Sequence, residues 1–287
     1  MKKYLPPIRI LIIYLSLMAV FASISWSGND YSEYVLHVRN FGLLLIPSFL
    51  TYKVLVALKL GTPTRWEHRV ISMLILFLLF DVSLPWWLFV CLGVGTELIQ
   101  RLVRSKFGPI FNPAAVAGLV ASTWNYLPGW WGVSFAPRIQ IISEGISVAT
   151  ILTIIIAGYV AYTYRKLWIV FSGLIALAVT YFIAFGRNPL FLVFEGTLAF
   201  FFVVMVVEPK TSPVVKQQQI IFGSLVGVLS ILLLKINFTE AYLGALLVAN
   251  LGYIGYRLNQ MPKQPAAVAP ATPAPQQVAT SMPPQEK

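Results

Sequence analysis

Charge is what this sequence has least of. Only 11% of its 287 residues are Asp, Glu, Lys or Arg, against about 25% in soluble domains. Cysteine is all but missing. The lone Cys91 excludes an internal disulfide and leaves no thiolate set for an iron–sulfur cluster or a structural zinc. Histidine is nearly as scarce: His37 and His68 lie in separate polar stretches, which argues against haem held between paired histidines. Apolar residues fill the space, at 58% of the chain with a mean hydropathy of +0.78. Water does not dissolve a compact fold of that composition. A cytosolic enzyme, a nucleic-acid module and a secreted disulfide scaffold are all excluded. The chain reads as an all-α polytopic membrane protein. Its net charge of +11 then reflects Lys and Arg held at one membrane face, with no nucleic acid involved.

A bilayer core of roughly 30 Å takes about 20 helical residues. Apolar runs fall at 8–26, 41–58, 70–82, 86–101, 111–127, 146–164, 168–184, 190–207, 218–235 and 241–257. This predicts about ten transmembrane helices, in two halves of five that are topologically compatible with inverted repeats. The stretch 70–101 is too long for one upright helix, and Pro85 and Asp81 divide it into two. With the N-terminus inside, seventeen basic residues fall on inner segments and four, Arg39, Arg138, Arg187 and Lys235, on outer ones. Merging the third and fourth runs would destroy that asymmetry. The first run follows Lys2, Lys3 and Arg9 like a signal peptide, but it is long and further spans follow directly, so a retained helix is expected. Residues 1–260 make the transmembrane domain. Residues 261–287, rich in Pro, Ala and Gln, are expected to be a disordered cytoplasmic tail.

Four stretches interrupt the apolar pattern. In Phe111-Asn112-Pro113-Ala114, Asn112 is a good N-cap and Pro113 a good first helical residue. A helix starting there, at membrane depth, offers free N–H groups to an anion or a polar ring edge. Ala114, Ala117, Gly118 and Ala121 follow at close-packing spacing. Glu208-Pro209-Lys210-Thr211-Ser212-Pro213 is an inner loop stiffened by two prolines, where Thr211 and Ser212 can cap neighbouring backbone. The long outer loop at about 128–145 carries Trp130, Trp131 and Arg138. Its tryptophans suit membrane anchoring or stacking on a flat cofactor. Glu144-Gly145-Ile146-Ser147-Val148-Ala149-Thr150 enters the sixth run, with Ser147 as a cap. Glu195, inside the eighth run, and Glu97, along the fourth, are candidates for ion relay or for helix–helix bonding.

Together these stretches resemble the family that holds the D subunit of Rnf-type electron transport complexes and the B subunit of sodium-pumping NADH:quinone reductase. Phe111-Asn112-Pro113-Ala114 looks like that family's FNPA motif. Glu208 to Pro213 looks like its (D/E)P(K/R)TSP loop, and both occur in the expected order. The resemblance covers roughly residues 1–260. It implies FMN joined to a threonine through a phosphoester within D-x-x-(S/T)-G-A-T. Here the acceptor is Thr150, flanked by Glu144, Ser147 and Ala149, with Glu144 in place of Asp and Val148 in place of Gly.

The resemblance further implies a membrane flavoprotein subunit relaying electrons within an ion-translocating oxidoreductase complex of a bacterial-type inner membrane. Both termini would be cytoplasmic and Thr150 on the outer face. Other redox subunits and a flavin transferase would be its partners. Trp130, Trp131, Arg138, Asn112, Pro113, Lys210 and Thr211 are the further candidate cofactor contacts, and a second, non-covalent flavin stays open. Two alternatives remain: a solute or ion permease on the same scaffold, and a non-catalytic assembly subunit.

Overall fold

A computed structural model of the chain describes residues 6–27, 30–133, 148–193 and 195–260. The described residues are mostly helical. Helices α1 (Pro7–Ser27), α2 (Tyr31–Ala57), α3 (Trp66–Leu79) and α4 (Trp86–Leu102) are followed by a short antiparallel hairpin of β1 (Arg104–Ser105) and β2 (Gly108–Pro109), then by α5 (Pro113–Thr123). The second half begins with α6 (Val148–Leu152), which runs through a π-helical turn (Thr153–Ala157) into α7 (Gly158–Thr163). Next come α8 (Leu167–Phe185), the short α9 (Leu190–Val193) and α10 (Gly196–Phe200), which passes into a second π-helical turn (Phe201–Met205). Helices α11 (Lys216–Lys235) and α12 (Ala241–Asn259) are the last described elements. Counting 148–163 and 190–205 once each, ten helical segments fall on the ten apolar runs. Four of them, α1, α2, α8 and α11, are long and apolar enough to cross a membrane.

The boundaries have local causes. Asp30 caps α2 by accepting from the Ser32 N–H at 2.8 Å, and Asn112 caps α5 by accepting from the Ala115 N–H at 3.1 Å, each satisfying a donor that a helix start leaves unpaired. Pro85 stands immediately before α4, as the division of 70–101 predicts. Gly186, at φ +64°, ends α8 in the left-handed region where a side chain is strained.

The two halves pack alike. In the first, α2 lies along α4, α1 against α3, and α4 against α5. In the second, α8 lies along α11, the α6–α7 helix against α10, and α11 against α12. The crossings of the second and fourth helices are both made by glycine. A Cβ on Gly93 would strike the Leu44 carbonyl, and Cβ atoms on Gly223 and Gly227 would strike the carbonyls of Ile169 and Gly173. Gly223 and Gly227 form a G-x-x-x-G pair that lets two backbones touch.

The third element of each half is the core. Every residue from Ser72 to Leu79 is buried, and so is every residue from Gly196 to Met205. A helix apolar on all sides is stable only when enclosed.

Two expected spans are shorter than their runs. The fifth run, 111–127, supplies only the 11-residue α5, about 16 Å long. Residues 126–133 turn back as non-helical chain over the end of α3. There the N–H groups of Trp130 and Gly132 donate to Leu79 and Leu78 O at 2.9 and 3.0 Å, and Trp131 Nε1 donates to Phe77 O at 2.6 Å. These bonds satisfy carbonyls that the helix end would otherwise orphan. The eighth run is broken. Glu195, expected inside a continuous span, instead occupies an extended backbone position before α10 and is exposed.

Candidate functional site

The Asn112 side chain does two jobs. Its Oδ1 caps α5, and its Nδ2 donates to Met205 O at 3.3 Å. This joins the FNPA stretch to the residues that lead into Glu208–Pro213, although 93 positions separate the bonded pair. Pro113 is buried directly behind the cap. A void of about 30 Å³ lies between the two stretches, lined in part by His68, Ser72, Asn112, Tyr164 and Glu208. Its wall is mostly apolar, with room for about one water beside these polar groups.

The 208–213 loop is held from within and from outside. Thr211 Oγ1 donates to Glu208 Oε2 at 3.2 Å, and Ser212 Oγ donates to Glu208 O at 2.7 Å. Lys166, in the turn after α7, is 2% exposed. Its Nζ donates to Ser212 O at 2.7 Å, to Ser212 Oγ at 2.6 Å and to Pro209 O at 3.4 Å. Gln219 Nε2 ties the same turn, at Arg165 O, to Val214 O at 2.8 and 2.7 Å. Burial lowers the Lys166 amine to about 8, partly countered by Glu208. Burial raises the Glu208 carboxyl to about 7, partly countered by Lys210, the Thr211 bond and Lys166. Desolvation outweighs the attraction between opposite charges at both groups. The loop is thus a rigid polar knot, able to hold a proton near neutral pH.

Thr150 lies at the other end of this helix pair. The α6–α7 helix and α10 run side by side, with Thr150 beside Gly196 at one end and Lys166 beside Ser212 at the other. The Thr150 side chain is 1% exposed. A Cβ on Gly196 would come within 3.1 Å of its Oγ1 and 2.7 Å of Val133 O. One turn further on, the Thr153 hydroxyl bonds the Tyr14 hydroxyl of α1. The start of a helix suits a phosphate ester, but the Thr150 side chain is buried and would have to come out of its packing to carry one.

Trp130 and Trp131 are 8% and 3% exposed, so neither lies at a lipid surface as an anchor would. The Trp131 ring centroid is 4.9 Å from that of His37 and 5.4 Å from that of Phe77. Trp130 stands edge-on to Phe201 and Tyr242. Both are enclosed by protein aromatics. Arg138, Glu144, Ser147 and the 261–287 tail lie outside the described residues, as does the side chain of Ala149. Lys210 and Thr211 sit with Asn112 and Pro113 at the Lys166 end, apart from Thr150.

Sequence reasoning missed Lys166, Gln219 and the Arg69–Glu97 pair. The available signal was a lone cation or amide beside apolar runs, which must find acceptors once enclosed. Arg69 Nε lies 2.8 Å from Glu97 Oε2, with its guanidinium carbon 3.7 Å from the Tyr52 ring centroid and 4.7 Å from that of Phe49. No protein-family model matches the chain, and no curated protein matches it either.

Proposed function

We propose that this chain is a membrane subunit of an ion-coupled electron transport complex, carrying FMN on Thr150. The observation that carries the reading is the convergence of the FNPA and Glu208–Pro213 stretches through Asn112 and Met205 O. Motifs far apart in sequence meet there, as parts of one site should. The paired second-and-fourth helix crossings of both halves support an inverted-repeat scaffold of ten spans. Such a scaffold, with N- and C-termini at the cytoplasmic face, sets Thr150 towards the outer face and the Lys166–Ser212 knot towards the inner.

FMN, when bound, supplies the one- and two-electron chemistry. The chain's own residues position it and exclude water. Thr150 would hold the ester at a helix start, once its buried side chain comes out of the packing beside Gly196. Lys210 and Thr211 belong to the opposite end, and under this reading they order the inner loop. Electrons enter and leave through partner subunits, because the chain has one cysteine and no cluster-binding set.

One observation favours a second reading, a solute or ion permease: the enclosed Thr150 side chain. The test is purification from the native host, ultraviolet in-gel fluorescence, and peptide mapping. FMN on the Thr150 peptide, lost in Thr150→Val, establishes the electron-carrier reading. An unmodified Thr150 in a dark band removes it, and uptake of labelled solutes by the chain alone then tests the permease.

A further inference from the structure

A cleft apart from Thr150 lies beyond the 208–213 loop. It is open on one side, has a volume of about 730 Å³ and is bounded by the β1–β2 hairpin, the loop and the end of α12. Three separate elements each bring one cation to it: Arg104 from β1, Lys210 from the loop and Arg257 from α12. Among the described residues no carboxylate lines it. The one ion pair among the described residues is Arg69–Glu97, so none of the three cations is neutralised by contact. Glu208 offsets part of the charge on Lys210, but three like charges gathered at one cleft still repel one another, and an anion relieves that repulsion.

The geometry suits a particular anion. The Arg257 guanidinium carbon stacks 3.9 Å from the Phe107 ring centroid. Stacking uses the face of the guanidinium and leaves its N–H edge free for a bidentate acceptor. Tyr253 and Tyr256, one turn apart on α12, extend the wall beyond the cations. A bare phosphate would fill little of such a volume, which lies in the range of small-molecule sites. Burial lowers the Lys210 amine, as do Arg104 and Arg65, against the opposing pull of Glu208 and Glu97, and a bound anion would favour its charged form.

We infer that this cleft binds a phosphate ester, with its phosphate on Arg104, Lys210 and Arg257 and its organic portion along Tyr253 and Tyr256. The ester is either a diffusible nucleotide or the headgroup of an anionic phospholipid, since both present the same group to the same cations. The inference does not rest on FMN at Thr150.

The test uses the full-length protein in nanodiscs. In pure phosphatidylcholine discs, a fluorescent N-methylanthraniloyl-ADP is titrated and its anisotropy followed. In discs of phosphatidylcholine with phosphatidylglycerol, native mass spectrometry counts retained lipid. Nucleotide binding that inorganic pyrophosphate displaces, and that Arg104→Gln/Arg257→Gln weakens at least tenfold, assigns a soluble ester. No nucleotide binding, with phosphatidylglycerol retained above phosphatidylcholine and lost from the double variant, assigns a lipid. Should the double variant fail to fold, Lys210→Gln replaces it and pyrophosphate displacement on the unaltered protein still decides. Absence of both probes, or binding that neither variant nor pyrophosphate alters, overturns the inference.

Discussion

The Arg69–Glu97 pair gives the sharpest stability experiment. Both side chains are enclosed, at 2% and 0% exposure, with 2.8 Å between Nε and Oε2. At an effective dielectric of 20 that separation corresponds to about 6 kcal/mol of attraction. Removing each ion from water costs several kcal/mol, so the net contribution of the intact pair is small. Breaking it is another matter, because the surviving charge stays buried. Arg69→Met or Glu97→Gln alone is expected to cost about 3–5 kcal/mol. Arg69→Met also loses the stack on Tyr52 and Phe49. Arg69→Met/Glu97→Leu replaces both ions by apolar groups and is expected to recover most of the loss. Thermal unfolding of the detergent-solubilised protein, followed by tryptophan fluorescence, ranks the variants. Single variants that melt with the unaltered protein, or a double variant that loses the sum of the singles, would refute the argument. The stable double variant also separates structure from function: if Glu97 relays ions, it folds and fails to transport them.

Other positions give independent tests. Asn112→Ala should cost about 2 kcal/mol, for a lost cap and a lost bond to Met205 O; Asn112→Asp keeps the cap but sets a buried carboxylate oxygen against Met205 O and should cost at least as much by the same melting assay. Gly227→Leu forces a side chain into the Gly173 carbonyl and should cost at least 1–3 kcal/mol, whereas Gly255→Ala, with open space around it, should not. Burial lifts Glu208 and Glu240 from 4.5 to about 7. A carboxyl that takes up a proton more readily when folded adds stability below its unfolded value, and loses it as pH rises through the folded one. Melting temperature should therefore fall between pH 4.5 and 7. Glu240, 6% exposed, contributes up to about 3 kcal/mol of this, so Glu240→Gln should match the unaltered protein near pH 4 and exceed it at pH 8. Glu208→Gln/Glu240→Gln should abolish the fall and leave a rise from His68, whose imidazole burial lowers to about 4; an unchanged slope would refute the assignment.

Much of the fold is legible in the chain because apolar runs and their interruptions are local. The division at Pro85 and the cap at Asn112 each depend on a few neighbouring residues. The packing glycines are less so. Only the crossing of α11 with α8 shows which backbone Gly223 and Gly227 admit. The tryptophans mislead for a physical reason: the same amphipathic ring suits a membrane interface or an enclosed aromatic cluster, and composition does not distinguish the two.

What the sequence determined by itself is the membrane-protein class, the ten helical segments and the motifs near Asn112 and Glu208, because hydropathy and helix signals act over one or two turns. Only the tertiary structure decided that Ser72–Leu79 and Gly196–Met205 form the enclosed centre, that Glu97 answers to Arg69, that Lys166 fastens the Glu208 loop, and that Thr150 is buried beside Gly196. Each of these joins partners from different helices. Which enclosed charge meets which acceptor follows from how the helices cross, and no local run of residues carries that information.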